Sequence, residues 1–352
     1  MTAFLLLLAL AACDATTEFR GTPLPDGNAS PSGSADDGDT DDEDDDSGSG
    51  SAGGAGSGDT VSFVAFGDWG TGGDDQEAVA QAIGDYCATE ECEFIVTLGD
   101  NFYSDGVDSV DDELWQDYYH DVYDFLGLPF YPVVGNHDND GTPQAEVEYS
   151  QIDPNWRMAA IDYNFTAPEG ATTPLLEFFL FDSEYPHFRY DGDDEAEDGY
   201  DAPTWMYDGV TTSTATWKAM VMHHPLYNNG NHGSDGEDNI PVLLGEDPVG
   251  KPNILCDGTQ SRFDLILSGH AHSFSHIRTS MDGCEVEQLV IGTGGADLKT
   301  VNATLEGAEV LATGGDAEDL YGFGWFQVTE DEALFRFITT DGTVFYETTF
   351  TK

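Results

Sequence analysis

Residues 61–70 read VSFVAFGDWG and residues 94–103 read FIVTLGDNFY. In both, a run of β-forming residues stops at a glycine and is followed at once by an aspartate. Three further segments repeat the grammar with other polar residues: FYPVVGNHD at 130–138, WKAMVMHHP at 217–225 and FDLILSGHAH at 263–272. Strands of this kind, bounded by turn residues and alternating with helical patterns, predict parallel pairing in an α/β sheet. Open α/β sheets bind ligands outside the carboxyl ends of their strands, so one rim is expected to collect Asp, Tyr, Asn and His together.

Working outward, Asp75 to Ala88 places Ala78, Val79, Ala82, Ile83 and Tyr86 at helical spacing behind an aspartate start. Asp111 to Phe125 is a second helix candidate, with Leu114, Trp115, Tyr118, Tyr119 and Val122 on one side. Beyond GHAH, the stretches 285–291, 324–328, 334–338 and 343–349 read as strands with few helices between them. The expected fold class is α/β, a two-sheet sandwich with helices outside it in αββα order. Between Asp182 and Trp217 the pattern weakens. Pro203, Gly209 and a Thr-rich stretch argue against a well-formed helix ahead of the MHHP strand. The acidic run DGDDEAEDGYD at 191–201 lacks the closing Glu of a calcium loop and reads as a solvated loop.

Composition separates the chain into three parts. Residues 1–13 hold an apolar stretch, Thr2 to Ala12, that is too short to span a bilayer and reads as a signal peptide. Its ending, Leu10-Ala11-Ala12-Cys13, resembles the lipobox of bacterial lipoproteins, although no Lys or Arg precedes the apolar run. Residues 14–60 are rich in Asp, Gly, Ser and Pro and are expected to form a disordered acidic linker. Residues 61–352 form the folded domain. The resulting expectation is a monomer exported and held by a lipid at Cys13 on a bacterial membrane or cell surface.

After Cys13, four cysteines remain, and an even count in an exported chain favours two disulfides over thiolate metal sites. Cys87 with Cys92 would close a small loop after a helix, and Cys256 with Cys284 would bracket the GHAH strand. The chain carries 69 acidic and 10 basic residues, a formal charge of −59, and most of the acid lies outside the linker. Nucleic-acid binding through a basic face is excluded. An anionic substrate would be repelled at long range, so a phosphate site must create its own positive charge, and bound metal ions would do so.

Asp68, Asp100, Tyr103, Asn136, His223, His270 and His272 supply hard oxygen donors and imidazoles, a set that suits iron, zinc or manganese. The donors are too many for one ion. A carboxylate with two oxygens can bridge a pair roughly 3.5–4 Å apart, as two-metal phosphoester chemistry requires, and Asp100 is the expected bridge. Only one of the adjacent His223 and His224 can be a ligand.

The order Asp-x-Gly, Gly-Asp-x-x-Tyr, Gly-Asn-His, His-x-Pro, Gly-His-x-His resembles the calcineurin-like metallophosphoesterases, and within them the small, tartrate-resistant purple acid phosphatases. The similarity runs from about Val61 through His272 and is densest in FVAFGDWG, LGDNFYSDGV and GNHDNDG. It implies that Asp68, Tyr103 and His272 join Asp100 around Fe(III). Asn136, His223 and His270 would join Asp100 around a divalent ion, Fe, Zn or Mn. His-x-Pro with Pro225 selects His223 and leaves His224 as a neighbour. His137 and His232 are implied to flank the pair, binding phosphate and passing a proton to the leaving alkoxide, a task for which imidazole is suited. Tyr103 discriminates, because a phenol of ordinary pKa about 10 ligates as phenolate only beside a strong Lewis acid. The expected activity is hydrolysis of a small phosphomonoester. The alternatives are a phosphodiesterase on the same metals and a non-catalytic surface lipoprotein that binds metal or ligand.

Overall fold

The computed structural model describes residues 60–184, 201–232, 235–246 and 250–352. All of them belong to one compact unit, Ala55–Lys352. The signal-peptide and lipid-anchor reading of residues 1–13, the linker reading of 14–59 and the acidic run 191–200 lie outside the described residues. Among those described, no helix is long and apolar enough to cross a membrane.

Among the described residues, thirteen strands form two sheets: β1 Val61–Phe66, β2 Phe94–Leu98, β3 Phe130–Val133, β4 Tyr163–Ala167, β5 Leu176–Leu180, β6 Trp217–Val221, β7 Leu265–Ser268, β8 Phe274–Met281, β9 Cys284–Ile291, β10 Ala308–Gly314, β11 Gly322–Val328, β12 Glu332–Thr339 and β13 Val344–Thr351. One sheet runs β13-β12-β11-β1-β2-β3 and the other β10-β8-β9-β7-β6-β5-β4. The pairs β1–β2, β2–β3, β5–β6, β6–β7 and β7–β9 are parallel. The segments that end in metal-binding residue types are therefore parallel strands, with β1, β2, β6 and β7 inside their sheets and β3 at the edge of the first. Their near-continuous apolar sequences follow from burial on both faces.

Alternation along β5 shows how the layers divide. Phe178 and Leu180 enter the core between the sheets, while Phe179 and Phe181 enter a second cluster on the outer face. Phe63 of β1 packs edge-on against Phe178 of the opposite sheet, with centroids 5.0 Å apart. It also stacks on Phe326 and Phe94 within its own sheet, at 4.5 and 5.5 Å. These rings tie the two sheets together.

Helix Asp74–Cys87 covers the outer face of the first sheet with Val79, Ala82 and Ile83 buried and Tyr86 half-buried, as its spacing predicted, whereas Ala78 is exposed and Ala80 is buried in its stead. The second helical candidate folds as Trp115–His120 with π-type turns, followed by Asp121–Tyr123 and a 3-10 turn, Asp124–Leu126. The weakly patterned region before the MHHP strand is a correction to the sequence reading, because Ala202–Thr212 forms a helix. Asp201 caps it by accepting from the Thr204 N–H. Pro203 falls in the first turn, where its missing N–H costs nothing. Gly209 faces Phe179, and a Cβ there would meet the ring at 2.7 Å, so the glycine lets the helix approach the sheet. Met206 and Val210 then fill the outer cluster.

Both disulfides join the expected pairs, Cys87–Cys92 and Cys256–Cys284, and the second encloses β7 and β8. Replacing Phe63 with Ala removes the ring shared by both sheets and should cost about 3–5 kcal/mol. Urea unfolding followed by tryptophan fluorescence would read this as a lower midpoint, and an unchanged midpoint would contradict the inter-sheet packing.

Candidate metal centre

Five parallel strands deliver the site. Asp68 stands two residues past β1, Asp100 two past β2, Asn136 three past β3, His223 two past β6, and His270 two past β7. Short backbone hydrogen bonds bind these strand ends into one rim: Asp68 N–H to Gly99 O at 3.0 Å, Gly67 N–H to Ile291 O at 2.8 Å and Gly269 N–H to His223 O at 3.0 Å. Asp68, Asp100, His270 and His272 all take the left-handed region, with φ between 46° and 66°. Four non-glycine residues in that sparsely populated region within one site are local strain held by their surroundings. Two glycines make room. A Cβ on Gly135 would lie 2.3 Å from Asp100 Oδ1, and one on Gly99, itself at φ +86°, 2.5 Å from His223 Nδ1.

The side chains converge in two groups. Tyr103 Oη lies 2.9 Å from Asp100 Oδ2, 3.3 Å from Asp68 Oδ1 and 3.0 Å from His272 Nε2. Asn136 Oδ1 lies 3.2 Å from His223 Nε2 and 3.0 Å from His270 Nδ1, and those two imidazole nitrogens are 3.3 Å apart. Asp100 faces both groups, with Oδ2 toward Tyr103 and Oδ1 3.3 Å from His223 Nε2. The seven residues expected as ligands are thus brought together. His137 and His232 stand beside them. The His137 ring centroid is 4.4 Å from that of Tyr103, and the His232 ring is 4.8 and 5.0 Å from those of His270 and His272. His224 lies near the second group, within 4.8 Å donor to donor. Its Nδ1 lies 3.0 Å from Ser183 Oγ and its Nε2 3.5 Å from Glu184.

Carbonyl groups fix two ligand rings. His223 Nδ1 donates to Leu98 O at 2.7 Å and His272 Nδ1 to Asp297 O at 2.9 Å, which leaves Nε2 of each aimed at the cluster. Beneath the ligands lies a buried polar hub that the sequence reading did not single out. Asp138 accepts from the N–H groups of Gly135, Asn101 and Phe102 at 2.7, 2.9 and 3.0 Å. The Asn101 amide bonds Trp69, Thr97, Val133, Asp138 and Glu146. The available signal was positional, since Asp138 directly follows His137 in GNHD and Asn101 directly follows Asp100 in GDNFY.

The electrostatics call for cations. Burial, reinforced by Asp100, lifts Asp68 to about 8, and burial lifts Asp138 to about 7. Burial also raises the Tyr103 phenol well above its usual value, and the neighbouring Asp68 and Asp100 raise it further. Burial disfavours a charged Asp100 too, but His223 and His137 hold it ionised. In return Asp100 overcomes the burial of His223 and brings its imidazole to about 10. Two buried carboxylates and a phenol share one imidazolium in this pocket. The donor set, three oxygens and an imidazole in one group and an amide, two imidazoles and a shared carboxylate in the other, fits two hard or borderline ions that would supply the missing positive charge.

A two-sheet sandwich with such a cradle at its strand ends is the architecture of the metallophosphoesterases. The chain belongs to the calcineurin-like phosphoesterase family, whose model matches residues 61–274. Among curated proteins it is similar to purple acid phosphatase 7 of Arabidopsis thaliana, 28% identical over 236 residues that cover 62% of this chain and 66% of that protein. It is also similar to mouse tartrate-resistant acid phosphatase type 5, 26% identical over 193 residues that cover 49% of this chain and 58% of the relative. The chain spans about two thirds of the length of the first of these relatives. Among solved structures, GAP50, the anchor in the inner membrane complex of Plasmodium, aligns with a TM-score of 0.64 at 22% identity, covering 83% of this chain and 89% of that one. A purple acid phosphatase from yellow lupin (Lupinus luteus) seeds aligns at 0.55 and 13% identity, covering 83% and 54%. At these identities the structural likeness concerns the fold alone.

The raised carboxyls set a pH dependence for the metal-free protein. Asp68 and Asp138 keep protons in the fold that the unfolded chain releases near pH 4, so their contribution is lost as pH rises through about 7 and 8. His224 and His272, lowered by burial to about 3 and 4, work in the opposite direction only below the unfolded imidazole pKa near 6.5. The His223 imidazole, raised to about 10 by Asp100, adds a loss that begins near pH 6.5, so chelator-treated protein should lose urea resistance from pH 6.5 to 8.5 and Asp68→Asn should lessen the fall. A metal-free protein equally stable across that window would contradict the buried-acid description.

Proposed function

We propose that the protein hydrolyses small phosphomonoesters with a dinuclear centre of Fe(III) and a divalent Fe, Zn or Mn ion. One observation carries this reading: the two oxygens of buried Asp100 face two separate donor groups, which places this carboxylate where both groups can share it. The likeness to purple acid phosphatases supports it. Asp68, Tyr103 and His272 would hold the ferric ion with Asp100, and Asn136, His223 and His270 the divalent one. Such a pair supplies positive charge for the ester and Lewis acidity that makes water nucleophilic at phosphorus.

The chain's own groups do the rest. His137, in the short helix Asn136–Asp140, and His232 approach the centre, one beside Tyr103 and the other beside His270 and His272. Both are partly exposed, so each can donate to phosphate oxygens at the open side, and one can protonate the departing alkoxide. His223 binds a proton in the metal-free pocket and must give it up on ligation, so loading releases protons. The buried hub around Asn101 and Asp138 fixes the loops of Asp68, Asp100 and Asn136 relative to each other, so the donors are positioned before substrate arrives.

A phosphodiesterase on the same centre is the second enzymatic reading, and a non-catalytic surface lipoprotein the reading of another class. Convergence of every donor supports a working centre over an inert scaffold. Export with lipidation at Cys13, and action as a monomer, complete the proposal on the strength of the sequence alone. Radiolabelled palmitate appearing in the native chain and vanishing in Cys13→Ser would support the anchor, and an unlabelled native chain would refute it.

Metal-loaded protein should hydrolyse p-nitrophenyl phosphate, and Asp100→Ala should lower kcat/KM by at least ~10³-fold, the scale of several kcal/mol of lost charge stabilisation. A purple colour that disappears in Tyr103→Phe would support tyrosinate on ferric iron. Full turnover in Asp100→Ala would reject the bridge, and a colourless active protein would reject the ferric ion.

A further inference from the structure

The chain has 10 basic residues, and most of those described are already engaged on the surface. Arg157 meets Glu169, Arg278 meets Glu287, Arg336 meets Glu347 and Lys352 meets Asp264. Lys299 is placed differently. Its ammonium has no hydrogen bond or ion pair among the described residues, and its backbone lies at the edge of the metal centre.

Three consecutive ties fix that position. Asp297 O accepts from the His272 ring at 2.9 Å, the Lys299 N–H donates to His272 O at 2.9 Å, and Thr300 O accepts from the Asn231 N–H at 3.1 Å, one residue before His232. Lys299 therefore stands between a ligand and the flanking histidine. The segment is also braced from behind. Asp316 N–H donates to Lys299 O at 3.2 Å, and the buried Asn229 amide bonds Asn302 O at 2.6 Å and Thr313 Oγ1 at 3.0 Å. The charge of Lys299 is felt at the site, since it adds to burial and His232 in lowering the His272 imidazole. Lys299 itself is half-buried.

We propose that Lys299 is a substrate-binding residue that makes this centre prefer dianionic phosphomonoesters to monoanionic diesters. The proposal rests on the hydrolase reading above. A monoester loses its second proton near pH 6 and then carries one charge more than a diester. A fixed cation beside the phosphate gains more from that extra charge, and the gain is large where the surrounding chain is strongly acidic and repels both. Metal ions in the centre would attract both esters and favour the dianion, and a fixed cation at the rim would add to that preference.

The test compares Lys299→Met and Lys299→Arg with the parent in metal-loaded protein at pH 7, with metal content measured for each. Lys299→Met should lower kcat/KM for p-nitrophenyl phosphate about tenfold through KM, a loss of the size of one charge-assisted contact. Hydrolysis of bis-p-nitrophenyl phosphate should change less than twofold, and Lys299→Arg should restore most of the difference. An equal fall for both esters, or no change in their ratio, would overturn the assignment. If the parent hydrolyses neither ester, the hydrolase reading fails by itself. Lys299 is then judged by calorimetric binding of inorganic phosphate, where an affinity unchanged in Lys299→Met overturns the proposal.

Discussion

Asp100 is the group on which the site depends. It is buried, it lies against a second buried carboxyl, and it must remain ionised to face two donor groups at once. In a low-dielectric interior such an arrangement is unstable unless positive charge is brought to it. One imidazolium at His223 offsets part of the cost. The rest of the architecture serves to place further donors so that cations can complete the balance.

That placement is expensive in backbone terms. Four donor residues sit in left-handed conformations, and at Gly99 and Gly135 a side chain is forbidden by the donors themselves. The strain is held by hydrogen bonds between strand ends and by the amide of Asn101, which joins two strands, two helices and the Asp68 loop. A hub in which both polar side-chain atoms and the N–H of Asn101 are engaged rigidifies its surroundings more than isolated pairs would.

Much of this was legible in the sequence. Apolar runs ending in Gly-Asp, Gly-Asn-His, His-His-Pro and Gly-His-Ala-His located five parallel strands and the seven donors, because strand ends and ligands share short stretches of chain. The helix Ala202–Thr212 was misread because Pro203 and Gly209 look like breakers, and only tertiary position shows one in a first turn and the other against Phe179. Strands β4, β8 and β10 went unrecognised. Their polar residues, as in FSHIRTSM, blur the alternation, and pairing with neighbours supplies what local pattern lacks. Asp138 and Asn101 were visible as letters, but their roles depend on contacts from five elements. The segment around Lys299 has no motif, and its meaning comes from the partners of its main chain.

The donors divide between the two sheets. Asp68, Asp100, Tyr103 and Asn136 come from loops of the first, and His223, His270 and His272 from loops of the second. Neither half owns a complete coordination shell, and the acidic half alone would hold an uncompensated negative pocket. Ions lodged here would act as rivets across the sandwich. Either sheet alone would hold only part of the donor set, so a pair of ions held here needs both layers.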